Sequence, residues 1–298
     1  MFNKKHTRRE FFKFSGLTAL FLTQLSKIFN VNNTLSLFDD NDELCREKFS
    51  IFVQDGLMNV PIGDAIVEIG KSFMGTKYVA NTLEINSPDE KLVVNLTGLD
   101  CVTFVENCLT FARCVKKGKT TFDDYRAELT YIRYREGKID GYASRLNYFC
   151  DWIHDNENKG IVKNISEDLG GVEYNKTINF MSTHTKSYKQ LADKTELEGI
   201  LAAEDAINSR TYYYIPKKNI SKIYDKLQNG DIIATTTTIA GLDVTHTGYV
   251  CKDDEGRTYF LHASSKNKEV IVSSKELADY IAEDSKKTGI MVARPLEI

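Results

Sequence analysis

Apolar residues at Ile62, Ile66, Ile69 and Phe73 recur every three or four positions through "VPIGDAIVEIGKSFMGTKY", the spacing of a helix with one buried face, and Gly75 closes the segment. The same rhythm returns from Asp100 to Lys116, where Cys101, Phe104, Val105, Cys108, Ala112 and Val115 form an apolar stripe that stops at "KKGK". A further helix is expected over "TTFDDYRAELTYIRYREG", with Thr120 or Thr121 as its cap and Asp123-Asp124 in the first turn, where the helix dipole favours negative charge. Between these, "VANTLEINSPDEK" reads as a loop with a Ser87-Pro88-Asp89 turn, and "KLVVNL" as a short strand. The stretch 137–228 reads as helix and loop, clearest in "SRLNYFCDWIHD" and "TELEGILAAEDAINS". From Gly230 the period shortens: "DIIATTTT", "VTHTGYVC", "RTYFLHAS", "KEVIVSS" and "GIMVARP" are short, β-branched and separated by turns. Helices followed by a run of neighbouring strands predict an α+β domain, its helices packed on an antiparallel sheet.

The first thirty residues depart from this pattern. Arg8-Arg9 and Lys13 precede an apolar run from Phe14 to Leu25, the layout of an export signal over residues 1–30 and too short to span a bilayer comfortably. The paired arginines resemble a twin-arginine address. An exported, periplasmic protein is therefore expected, with the leader either removed or retained as an N-terminal anchor; an amphipathic first helix is the alternative.

Composition is ordinary for a globular chain of 298 residues, 42% hydrophobic and 27% charged. A net charge of −3 without a basic cluster argues against a nucleic-acid partner. The six cysteines, at 45, 101, 108, 114, 150 and 251, form no C-x-x-C pair, so neither a zinc site nor a disulfide framework is expected.

Cys101 stands in the first turn of its helix, where unpaired N–H groups and the positive dipole end favour a thiolate and can hold an oxyanion. A thiol on that stripe also reads as core filler, as Cys108 and Cys114 do. A nucleophile needs a base, and the base needs an orienting group. His246 in "VTHTGYV" and His262 in "YFLHASS" fall on strands joined by the "DDEGR" turn. Antiparallel pairing would bring them together on one face.

In order, "LDCVTFVE", "NGDIIA", "HTGYV" and "FLHAS" resemble the signature of the NlpC/P60 cysteine peptidases. The stretches "GTKYVANTLE", "EKLVVNLTGLDCVTFVE", "YREGKIDGYASRLNYFCDWI" and "FMSTH" are similar to its DUF1460 branch, from about residue 60 to the end. Where that branch places a His in "SRLHYF", this chain has Asn147.

The resemblance implies a papain-like fold in a single catalytic domain, 45–298, with a helical insertion around 120–228. It implies an N-acetylmuramoyl-L-alanine amidase acting on peptidoglycan fragments, particularly 1,6-anhydro forms, with Cys101 as nucleophile, His246 as proton carrier, first in a thiolate–imidazolium pair and then as acid to the leaving amine, and His262 as its orienting partner. Tyr78 matches a position placed near the nucleophile. Thr82 and Glu84 follow it toward the same cleft. Arg135, Tyr142, Ser144 and Arg145 offer donors to carboxylates and hydroxyls, or else a solvated charge pair flanking a helix. Ser264 shares a strand face with His262. No metal, no other cofactor and no stable protein partner is expected. An endopeptidase cutting between D-glutamate and a diamino acid, a catalytically inactive wall-binding module and a cysteine transferase are the alternatives.

Overall fold

Ile232 and Ile233, Tyr249 and Val250, Leu261 and Phe260, and Met291 and Val292 are adjacent pairs, all buried, and each pair divides between two separate apolar clusters. Alternation of this kind belongs to strands covered on both faces. The structure, a computed structural model, describes residues 36–85 and 89–298; the leader expected at 1–30 and the Ser87-Pro88 part of the expected turn lie outside the described residues. In chain order its elements are α1 (Ser36–Gln54), α2 (Ile62–Lys71), β1 (Lys77–Tyr78), β2 (Gly98–Leu99), α3 (Cys101–Lys116), α4 (Phe122–Arg133), α5 (Phe149–Asn158), β3 (Val162–Asn164), β4 (Val172–Glu173), α6 (Phe180–Thr183), α7 (Lys194–Asn208), β5 (Tyr213–Pro216), β6 (Ile232–Thr237), β7 (Val244–Lys252), β8 (Thr258–Ser264), β9 (Glu269–Glu276), α8 (Leu277–Ala282) and β10 (Lys287–Pro295).

One sheet runs in the order β2-β1-β9-β8-β7-β6-β10-β5-β4, with β3 beside β10. Among the described residues only the β1–β2 ladder is parallel. The architecture is thus mixed α+β with a large, mostly antiparallel sheet. Helices α2 and α3 cover one face, meeting Tyr249, Leu261 and Ala263. The 3₁₀ segment Lys217–Ile223 and α8 cover the other, meeting Val250, Phe260 and Val292.

The five strands expected after Gly230 are present as β6 to β10. The middle of the chain is less purely helical than expected, because β3, β4 and β5 add short strands to the β10 side of the sheet. "KLVVNL" does not form a strand. Its backbone groups go to side chains instead: Val93 O accepts from Arg133, Asn95 O from Asn107, and the Leu96 N–H donates to Asn41.

Helix α3 is buried on every side from Thr103 to Val115, beyond the single stripe its periodicity indicates. Burying its polar residues costs free energy unless each is paired, and each of the long ones is. Glu106 meets Arg133 at 2.7 Å and Arg113 meets Glu128 at 2.6 Å. Asn107 accepts from the Tyr125 hydroxyl.

Neutralising one partner of a fully desolvated pair strands the other's charge. Glu106→Gln should lower the unfolding free energy by about 3 kcal/mol, read from denaturant midpoints. An unchanged midpoint would mean that Arg133 finds another counter-charge.

Candidate active site

The backbone before α3 arrives extended at Asp100, whose carboxylate accepts the Thr103 N–H at 2.8 Å while the Thr103 hydroxyl accepts the Asp100 N–H at 2.9 Å. This reciprocal cap uses the third N–H of the helix and leaves those of Cys101 and Val102 free. Both face the Cys101 sulfur, as does the backbone N–H of Thr247 on β7. The thiol therefore stands one residue away from His246.

His246 and His262 meet at the open end of a ladder. β7 pairs with β8 from Lys252 opposite Thr258 to Tyr249 opposite Leu261, after which β8 continues along β9 through His262, Ala263 and Ser264. Gly248 sits where the strands part. A Cβ there would lie 2.6 Å from Leu261 O and 2.7 Å from the Cβ of His262, so only glycine lets the strands come this close. Across it, Nε2 of His246 lies 2.7 Å from Nδ1 of His262, with the rings perpendicular at 88°. His262 is fully buried and sandwiched between Phe260, with ring centroids 4.7 Å apart, and Tyr280 of α8, at 4.9 Å. His246 is half-buried.

The electrostatics favour neutral partners. Burial and the Asp100 carboxylate push the Cys101 thiol up to about 12, although the three N–H groups pull it down. Burial, then His262 and then Lys287 hold His246 well below its usual value. His262 is pushed down to about 3 by burial and by Lys287. The expectation that the helix terminus brings the thiol's pKa down is not met: the N–H groups at the tip lower it, but by less than burial raises it.

Of the other residues singled out in the sequence, Tyr78 lies beside the thiol, and burial together with Cys101 and Asp100 pushes its phenol up to about 12. The Thr82 hydroxyl is buried with no partner among the described residues. Glu84 pairs with Arg145 at 3.1 Å and accepts from Gln190. Arg145 is buried between Glu84 and Glu90, its guanidinium over the Tyr142 ring at 4.5 Å. Arg135 turns to Asp151, a carboxylate it shares with Arg210. Both guanidinium groups are thus already committed to carboxylates of the protein. Ser144 closes its own turn through Gly141 O and the Asp140 N–H. Ser264 does the same with Asn267, not with His262.

Sequence reasoning missed Tyr280, Lys287 and Gly248. The sulfur is close enough to Tyr280 and Lys287 to bear on both their charges. Lys287 and Tyr280 also line a 270 Å³ pocket with Thr245, His246, Ser265, Lys266, Glu283 and Asp284. Only Gly248 carried a signal, a glycine within a strand one residue beyond "HT".

Fold and site together are those of an amidase-like α+β protein, with a thiol at a capped helix terminus beside paired imidazoles on a sheet. The chain belongs to the AmiA-like family, described as N-acetylmuramoyl-L-alanine amidase-like, which it matches over residues 68–290. It is similar to an N-acetylmuramoyl-L-alanine amidase from Bacteroides uniformis, 34% identical over 78% of this chain and 98% of the other, with a TM-score of 0.74. A Bacteroides fragilis protein proposed to be a xylanase is 36% identical over 76% of this chain and 98% of its own, with a TM-score of 0.68. A Legionella pneumophila protein of the DUF1460 family shares the fold at 20% identity, over 89% and 97% of the two chains, with a TM-score of 0.67. Among curated proteins none matches.

Gly248→Ala should lower kcat/KM at least tenfold by separating the imidazoles, at a stability cost of about 1–3 kcal/mol. Full activity in the alanine variant would show that the close approach is dispensable. The raised thiol also predicts that alkylation of Cys101 by iodoacetamide, followed by mass spectrometry, keeps accelerating through about pH 10 without a plateau.

Proposed function

We propose that the protein is a cysteine-dependent amidase that cleaves the bond between N-acetylmuramic acid, in its 1,6-anhydro form, and L-alanine in peptidoglycan fragments. One observation carries the cysteine mechanism: the Cys101 sulfur is framed by the N–H groups of Cys101, Val102 and Thr247, one residue from an imidazole whose far nitrogen is held by a second imidazole. The family supports the amide bond and the muramoyl substrate. The ordered Cys-His-His motifs and the two-faced sheet support a papain-like NlpC/P60 lineage, and the Arg8-Arg9 leader supports export to the periplasm, cleaved or kept as an anchor.

The chemistry starts from a neutral pair. His246, with its proton on Nε2 and directed to Nδ1 of His262, presents Nδ1 as the base. It takes the thiol proton as sulfur attacks the lactyl carbonyl, then returns it to the departing amine of L-alanine. Water releases the acyl group from sulfur by the same base. In this tautomer His262 accepts at Nδ1 and carries its own proton on Nε2, a buried atom with no partner among the described residues. The sandwich of Phe260 and Tyr280 holds that ring in place. The oxyanion falls to the N–H groups at the helix tip, with the Tyr78 hydroxyl beside them.

Digestion of defined muropeptides, with products weighed, tests the reading. Free 1,6-anhydro-N-acetylmuramic acid and an intact stem peptide are expected. A dipeptide still attached to sugar would indicate the endopeptidase, and release of oligosaccharides from xylan would overturn the amidase. Cys101→Ala should abolish turnover while leaving the fold unchanged, and His262→Ala should lower kcat by about 10²–10⁴-fold.

The pH profile tests the neutral pair. Activity requires unprotonated His246 and is lost as pH falls through its pKa. Because that pKa is held well below 6.5, the acid limb of kcat/KM should lie below pH 6.5. The alkaline limb, set by the thiol, should be absent up to about pH 10. A fall in rate between pH 8 and 9 would instead indicate a preformed thiolate–imidazolium pair.

A further inference from the structure

Eight lysines among the described residues are buried or half-buried: Lys48, Lys116, Lys117, Lys159, Lys176, Lys217, Lys252 and Lys287. Seven of them place the ammonium on an oxygen. Lys48 donates to Ser72, Lys116 to the Met58 and Val60 carbonyls, Lys117 to Glu128, and Lys159 to the Tyr131 and Tyr134 carbonyls. Lys176 donates to Thr237 O, Lys217 to Asp284 O and Lys252 to Tyr224 O. Lys287 has no hydrogen-bond or ion-pair partner among the described residues. Its ammonium lies over the Tyr280 ring, 4.5 Å from the centroid.

This half-buried ammonium touches only a ring face, and although the Asp284 and Glu283 carboxylates act on it from beyond ion-pair distance, burial outweighs them, so it is incompletely compensated for the water it has lost. It lines the 270 Å³ pocket that also contains His246. Of the acidic groups on that wall, Glu283 is ion-paired and Asp284 has no ion pair among the described residues. Glu283 pairs with Lys275 at 2.8 Å and lies 3.6 Å from Lys266, and Asp284 accepts the Lys286 N–H. Among the described residues Lys287 is therefore the cation of the pocket with no ion-pair partner, and the Asp284 carboxylate lies beyond ion-pair distance of it. Its volume falls just short of the ordinary range for drug-sized ligands and suits one amino-acid side chain.

We infer that Lys287 is a specificity residue that binds a carboxylate of the peptide on the leaving side of the scissile amide, with the peptide occupying the pocket between His246 and α8. This assignment rests on the amidase reading and makes it more specific: the residue following L-alanine must present an anion. A carboxamide at that point leaves the ammonium as unpaired as it is without substrate.

Binding can be measured independently of cleavage. In the Cys101→Ala background, calorimetry compares 1,6-anhydro-N-acetylmuramoyl-L-alanyl-D-glutamate with the analogue whose glutamate carboxylates are both carboxamides. The carboxylate ligand should bind about 10- to 100-fold more tightly. Adding Lys287→Met should remove that preference, and Lys287→Arg should restore most of it. Equal binding of the two ligands, or a preference that survives Lys287→Met, would overturn the assignment. A shifted pH–rate profile with the preference intact would overturn it too, reducing Lys287 to a modulator of the imidazoles. The amidase reading is judged separately by which bond the wild type cuts: cleavage elsewhere, with the carboxylate preference present, sinks that reading and spares this one.

Discussion

At Gly248 the backbone of β7 lies against the Leu261 carbonyl and the Cβ of His262 more closely than any side chain would allow. From that contact follow the perpendicular meeting of His246 and His262, the parting of the β7–β8 ladder, and the freedom of the Thr247 N–H to face the sulfur instead of a neighbouring strand. The two imidazoles lie on the sheet face that also carries Val250 and Phe260, whereas the body of α3 packs on the opposite face against Tyr249 and Leu261. The thiol stands at the tip of α3 and faces the Thr247 N–H at the place where the strands separate.

That tip has to be held still, and the burial of α3 does so. A helix with one apolar stripe can rock on the surface it covers. This one is enclosed, its polar residues tied to Arg133, Glu128 and Tyr125 on α4, so small displacements break desolvated pairs. The close packing of α2 on the turn before β6 belongs to the same frame. A Cβ on Gly63 would lie 2.1 Å from Asn229 O, and Gly230 has a positive φ of 76° beneath it.

Much of this was legible in the sequence, and the reasons for the remainder are physical. Helices α2, α3, α4, α5 and α7 and strands β6 to β10 are long enough for periodicity to mark them. Strands β1 to β5 are two to four residues long and exist through pairing with distant segments, so no local pattern marks them. "KLVVNL" misled for the converse reason: it has strand composition, but its backbone is claimed by side chains from remote positions. The imidazole pair was legible because strand alternation and one turn dictate it. Tyr280 and Lys287 were not, since one sits on a six-residue helix and the other at the first position of β10. Arg135 and Arg145 were chosen by residue type. Their partner carboxylates, Asp151, Glu84 and Glu90, become neighbours only in three dimensions.

The high pKa of Cys101 has a bearing on durability. Peroxides and disulfides are attacked by the anion of cysteine, so a buried sulfur that keeps its hydrogen reacts with them slowly. The other five cysteines are buried and unbridged. Burial raises the pKa of all six thiols, so their resistance to oxidation comes from lost water and not from crosslinks.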